Sequence, residues 1–203
     1  EQEHELYERS TQVPVVHSVS FGYKDIDTWH KVALEEAEGH IYSRNTNPTV
    51  RAFEDKVKEL EFAEAATSFA SGMAAISNTL ATFLKPGDRV VSIKDSYGGT
   101  NVIFNEFLPP LNIEVSLCET GDYEQLESEI AKGCTLVYLE TPTNPTIKIT
   151  DIKRLSLAAK KVGALVVVDN TFATPINQNQ LLLGADITLH SASKYIVGHA
   201  HAL

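Results

Sequence analysis

The stretch Leu165-Val166-Val167-Val168-Asp169 decides the fold. Four apolar residues in a row, most of them β-branched, stop abruptly at an acid, with no alternation of apolar and polar positions. A strand with one wet face alternates, whereas a strand covered on both faces reads as a continuous apolar run. TLVYLE (135–140) is likewise a near-continuous apolar run. The two runs predict central strands of a mostly parallel sheet with helices on both faces.

Shorter strands are expected on either side, at 88–94 (DRVVSIK), 113–118 (IEVSLC) and 186–190 (DITLH). Helical patterns fall between them. One covers 74–84 and ends at Lys85-Pro86-Gly87. Another opens at Asp122, with Gln125 placed for a capping box. A third spans 151–162, and a small helical stretch lies near 178–183. Upstream, Val50, Phe53, Val57 and Leu60 share one helical face, with Arg51, Glu54, Asp55, Lys58 and Glu59 on the other. Strand and helix in succession define an α/β domain. It is expected over 51–203. Residues 1–50 lack periodicity and scatter Tyr7, Phe21, Tyr23, Trp29 and Tyr42. They read as an extended arm with one short helix at 28–38, packed on a neighbouring subunit.

Composition narrows the function. The 203 residues are 43% hydrophobic with a formal net charge of −10, which argues against a phosphate-backbone binder, so no nucleic-acid partner is expected. No apolar run approaches the roughly 20 residues that span a bilayer, so no membrane partner is expected. Cys118 and Cys134 cannot build a disulfide framework, and EQEHELYERS does not read as a signal peptide. A cytoplasmic protein acting on small molecules is the expectation. No G-x-G-x-x-G follows a strand, and neither G-x-x-x-x-G-K nor G-x-S-x-G occurs, which disfavours nicotinamide, nucleotide-hydrolase and α/β-hydrolase chemistry.

In open α/β sheets ligands bind beyond the carboxyl ends of the strands, so the residues just after each strand carry the chemistry. Ser71-Gly72-Met73 begins a helix, where free N–H groups suit an anion such as phosphate or simply take a Ser cap. Asp169 is an acid behind four apolar residues; it either caps the turn that follows or faces a cationic ligand. Ser191, Ser193 and Lys194 place two hydroxyls and an amine together after a strand, for a phosphate and for attack on an aldehyde, or as an exposed turn. Tyr97, Asn144, Tyr42 and Arg44 lie in Gly-, Pro- and Asn-containing turns that need no ligand to explain them. His190, His199 and His201 match no zinc spacing, and no metal site is expected.

In order, IYSRNTNPT, FASGMAA, DSYGGTN, ETPTNPT, VVVDNTFATP and HSASKYIVGH resemble the signature series of the Cys/Met-metabolism family of pyridoxal-phosphate enzymes. The family contains cystathionine γ-synthase, cystathionine γ-lyase, methionine γ-lyase and the O-acylhomoserine sulfhydrylases. The resemblance runs from about residue 11 to 200. It implies the aspartate-aminotransferase-like large domain, pyridoxal 5′-phosphate as cofactor and amino-acid substrates. Lys194 would carry the cofactor as a Schiff base, and Lys194 and Tyr97 would be the catalytic pair. Ser71, Gly72, Met73, Ser191 and Ser193 would hold the phosphate. Asp169 would pair with the pyridinium nitrogen, Tyr97 would stack on the ring, and Asn144 would sit near the phenolic oxygen. Tyr42 and Arg44 would reach a neighbouring subunit's phosphate site, making a homodimer the minimum unit and a tetramer the expected one.

The resemblance also implies γ-replacement or γ-elimination in transsulfuration. Methionine γ-lyases typically carry a cysteine shortly after the stacking tyrosine. Tyr97-Gly98-Gly99-Thr100 looks more like cystathionine γ-synthase, then cystathionine γ-lyase, with an O-acylhomoserine sulfhydrylase or a methionine γ-lyase behind. A catalytically silent cofactor-binding relative is the alternative from another class. The family usually continues Gly-His-Ser/Thr-Asp after the lysine, whereas this chain has Gly198-His199-Ala200-His201. Family members run to about twice this length, with a C-terminal domain that supplies a substrate-binding arginine. The chain is therefore expected to be the arm and cofactor domain of a longer enzyme.

Overall fold

The structure is a computed structural model that describes residues 10–200 and 202. Tyr7 and His201 lie outside the described residues. Its centre is the pair of apolar runs, which are adjacent parallel strands in register from Leu136 beside Leu165 to Glu140 beside Asp169. Five strands, β1 (Arg89–Ile93), β2 (Glu114–Cys118), β3 (Leu136–Glu140), β4 (Leu165–Asp169) and β5 (Ile187–Leu189), form one sheet in the order β2-β1-β3-β4-β5. All four pairings are parallel. The fold class is the α/β sheet flanked by helices that the sequence predicts.

The helices are α1 (Ile26–Ala33), α2 (Pro48–Glu61), α3 (Gly72–Phe83), α4 (Gly98–Val102), α5 (Tyr123–Ala131), α6 (Ile152–Val162) and α7 (Thr174–Asn177). Alternate residues of the central strands point to opposite faces, and each face meets its own layer. Val137, Leu139, Val166 and Val168 pack with Leu126 and Ile130 of α5 and Leu155 and Ala159 of α6. Leu136, Tyr138 and Val167 pack on the other side with Ile76 and Leu80 of α3 and with Phe104. This two-sided burial explains why β3 and β4 have no polar face. Helix α6 shows how local chemistry sets the ends. Asp151 Oδ1 accepts the Arg154 N–H at 2.9 Å, Lys160 and Lys161 sit in the last turn, and Gly163 adopts φ 73° to end it.

Four details differ from the sequence reading. The helix expected at 28–38 is α1, which starts earlier because Asp25 caps it, its carboxylate accepting the Thr28 N–H at 2.7 Å. Gln125 donates its N–H to Asp122 Oδ1 as expected, but its side-chain oxygen accepts from Glu119 N, not from Asp122 N. The small helical stretch expected near 178–183 is a single 3₁₀ turn at Leu181–Leu183, and α7 just before it was not expected. Residues 98–111, of which the sequence reading covers only the Gly98-Gly99 turn, form α4, a π-helical turn (Ile103–Phe107) and a 3₁₀ turn (Pro109–Leu111). Phe104 explains the extra structure: it is buried edge-on against Tyr138 at 5.3 Å.

The chain divides into two compact units. One holds residues 1–59 and 64–68, the other 60–63 and 69–203. In the first, Val32 and Asn47 are the buried residues among those described; the Asn47 amide donates to Val16 O and Ser43 Oγ. Val50, Phe53 and Leu60 of α2 are exposed, while Glu61, which belongs to the second unit, is buried. The sheet and everything described next belong to the second unit.

Candidate active site

The parallel sheet brings the ends of β1, β3, β4 and β5 to one edge, and the residues that follow them meet the start of α3. Ser71 caps α3, its Oγ accepting the Ala74 N–H at 3.1 Å. Gly72 follows because nothing larger fits: an added Cβ would lie 2.7 Å from Ser191 Cβ and 3.0 Å from Ser191 Cα. The helix start therefore rests directly on the turn after β5. There Ser191 Oγ and Ser193 Oγ are 3.0 Å apart, and Lys194 N donates to Ser191 O at 3.0 Å. Thr171, two residues after β4, fixes this turn by accepting the Ser191 N–H on its Oγ1 at 2.8 Å.

Asp169 ends β4 almost fully buried, and its Oδ1 accepts the Thr171 N–H at 2.9 Å. Burial pushes its acid up from the ordinary value, and the hydrogen bonds from Thr171 oppose that only in part. Asp169 thus caps the turn that follows it, as one of the two sequence readings has it, and does so as a desolvated carboxylate. Tyr97 begins α4 beside Met73. A Cβ on Gly99 would lie 2.7 Å from Met73 Sδ and 2.9 Å from Tyr97 Cε1, so the glycine lets the ring and the thioether approach.

A cleft of about 220 Å³ joins these pieces. Ser71, Gly72, Met73 and Tyr97 line it together with Asn144, Asp169, Ser191, Ser193 and Lys194. All nine are positions singled out from the sequence. Tyr42 and Arg44 belong to the first unit, where the Arg44 guanidinium lies 5.0 Å over its own Tyr42 ring. The cleft also contains residues that the sequence reading passed over, notably Glu140, Thr171 and Phe172. Thr171 and Phe172 stand in the quoted VVVDNTFATP, so position alone could have flagged them. Glu140 closes an apolar run as Asp169 does, and that parallel was the available signal.

Glu140 is 5% exposed, and its acid is pushed up to about 7. Burial is the main cause, opposed by the Tyr97 amide, reinforced by the Asp169 charge and opposed again by the Asn144 amide. The fold therefore holds this proton more tightly than the unfolded chain does. That contribution to stability is complete below the ordinary value of 4.5 and is lost as pH rises through about 7.

The residues present fit pyridoxal phosphate. A helix start pressed on two hydroxyls suits the phosphate, a buried carboxylate suits a protonated ring nitrogen, and an amine lines the same cleft. Gly72→Ala tests the first of these. It forces Ser191 away from the helix start, and the expected result is about ten- to hundredfold weaker cofactor binding in a fluorescence titration. Unchanged affinity would detach the helix start from the phosphate.

A family model described as Cys/Met metabolism PLP-dependent enzyme matches residues 1–203. An L-methionine γ-lyase of Fusobacterium nucleatum subsp. nucleatum is 47% identical over 174 residues, covering 85% of this chain and 44% of that protein. A cystathionine γ-lyase of Bacillus subtilis is 44% identical over 183 residues, covering 90% and 48%. Among solved structures, a cystathionine γ-synthase from Xanthomonas oryzae pv. oryzae in complex with aminoacrylate and cysteine superposes with a TM-score of 0.90 at 34% identity. That match covers 99% of this chain and 50% of the other. The chain thus spans about half the length of the relatives it matches.

Proposed function

The chain belongs to the Cys/Met-metabolism family of PLP-dependent enzymes, and from that premise we propose that it carries the cofactor half of an enzyme that breaks or exchanges C–S or C–O bonds at the γ carbon of homoserine-derived amino acids. The carrying observation is the single cleft lined by nine of the residues predicted from sequence. Pyridoxal phosphate, when bound, supplies the electron sink that lets an amino-acid substrate lose protons beside its amine. The remaining work falls to side chains. Lys194, the amine lining the cleft, would hold the cofactor through its aldehyde and would move protons to and from the substrate carbons. Asp169, a desolvated carboxylate, would hold a proton on the ring nitrogen. The start of α3 with Ser191 and Ser193 would anchor the phosphate, Tyr97 would cover the ring and share in proton transfer, and Asn144 would sit near the phenolic oxygen.

Tyr42 and Arg44 reach the phosphate of a neighbouring copy, so the working unit is a homo-oligomer in the cytoplasm, a dimer at least and a tetramer by family habit. The Tyr97-Gly98-Gly99-Thr100 stretch favours the cystathionine γ-synthase reaction. The two lyases at 47% and 44% identity favour elimination as the second reading. An activity panel on the full-length protein separates them. Release of a 2-oxo acid without added thiol marks γ-elimination, and cystathionine formed from cysteine and an O-acylhomoserine marks γ-replacement. A yellow protein that performs neither would sink the enzymatic reading.

A further inference from the structure

Glu140 touches both rims of the cleft. Its Oε2 accepts the backbone N–H of Tyr97 at 2.8 Å, and its Oε1 accepts that of Asn144 at 2.7 Å. Tyr97 starts α4 on the loop after β1, and Asn144 lies on the loop after β3, four residues beyond Glu140 itself. A second tie joins the same loops nearer the surface, where Lys148 Nζ donates to Asp95 Oδ2 at 2.6 Å. An ionised carboxylate is an acceptor on both oxygens and can serve two facing N–H groups. A protonated carboxyl turns one oxygen into a donor, and an amide turns one end into NH₂, so either leaves one backbone N–H poorly served.

We propose that Glu140 is a positioning residue whose carboxylate sets the placement of Tyr97 and Asn144 over the cofactor cleft through their backbone amides. The proposal rests on the functional reading above for what the cleft holds. It deepens that reading by making the two rims one mechanical unit with an ionisable clamp. Burial and the neighbouring Asp169 charge hold the Glu140 acid near 7, so the clamp is closed above neutral pH and slackens below it. The other ionisable groups on the elements around it are Tyr97 and Lys194 in the cleft, Tyr138 on β3 and the Asp95–Lys148 pair.

Residue-resolved hydrogen exchange on the full-length holoenzyme tests this. In the wild type, protection of the Tyr97 and Asn144 amides should rise about tenfold as pH goes from about 6 to about 8. In Glu140→Gln both amides should be about tenfold less protected and insensitive to pH, while Val137 and Leu139 on the same strand keep their protection. Glu140→Asp retains the charge on a shorter arm and should keep the pH dependence with weaker protection. The acid limb of the kcat/KM profile should likewise be present in the wild type and absent in Glu140→Gln. Equal protection in wild type and Glu140→Gln would overturn the proposal, and so would a loss shared equally by Val137 and Leu139. Should Glu140→Gln fail to fold, the wild-type pH series decides alone, a flat response overturning it. Failure of the functional reading shows separately, as a wild-type protein that stays colourless with added pyridoxal phosphate.

Discussion

Replacing Lys194 by alanine in the full-length protein removes the yellow colour of the attached cofactor and lowers turnover by at least about a thousandfold. The reasoning starts from what alanine leaves in place. The start of α3, the Ser191–Ser193 pair and Asp169 do not depend on the Lys194 amine, because Ser191 is fixed through Thr171 and by contact with Gly72. The variant should therefore fold and still bind pyridoxal phosphate, non-covalently and more weakly. It loses the amine that reacts with the aldehyde and also the base that moves protons, and these losses fall on one residue rather than adding from two. An added small amine should restore part of the activity. A variant that keeps both the absorbance and the turnover would remove Lys194 from the centre of the proposed chemistry. A pure metal-dependent reading makes the opposite prediction, since chelators and not Lys194→Ala would then abolish activity.

Much of this site was legible because parallel sheets put chemistry in a fixed place. Once 165–169 and 135–140 are read as covered strands, the residues just beyond them must collect at one edge, and Asp169, Asn144 and the Ser191–Lys194 turn do so. The strand bounds came out closely for the same reason, because an apolar run between polar ends has little freedom of register. What stayed hidden follows from tertiary contacts. Phe104 makes a π-helical turn worth forming between Gly98 and Leu111, and nothing in the spacing of that segment announces a buried edge-on ring contact. Glu140 was passed over because its partners are backbone amides, which any sequence supplies. The stripe of Val50, Phe53, Val57 and Leu60 was legible as a helix but not in what the helix buries. Helical periodicity identified α2 correctly, but Val50, Phe53 and Leu60 are exposed and the residue the second unit buries is the acid at the helix end.

That acid carries the other large expected effect: Glu61→Ala should lower stability by about 3 kcal/mol or more. Glu61 is 1% exposed, and its Oε1 gathers three donors. Asn170 Nδ2 donates at 2.8 Å, the Thr188 hydroxyl approaches at 3.5 Å, and His190 Nε2 makes a short hydrogen bond to it. Alanine leaves those groups buried with no acceptor, and the penalty of an unserved donor exceeds the modest net value of each bond. Glutamine keeps one oxygen at the same reach and should cost about 1 kcal/mol, so the pair of variants separates lost acceptor from lost volume. The damage should not stay local. Asn170 stands between Asp169 and Thr171, and His190 immediately precedes Ser191, so Glu61 braces the two turns that form the cleft from behind. Asn170 is further held by Gln180 Nε2 at 2.7 Å and itself donates to Gln178 O at 2.9 Å, which spreads the strain along 170–180. Thermal unfolding of the full-length apo-protein should therefore show a lowered midpoint for Glu61→Ala, and cofactor titration a weakened affinity in the same variant. A lowered midpoint with cofactor affinity intact would confine Glu61 to stability and break its link to the cleft.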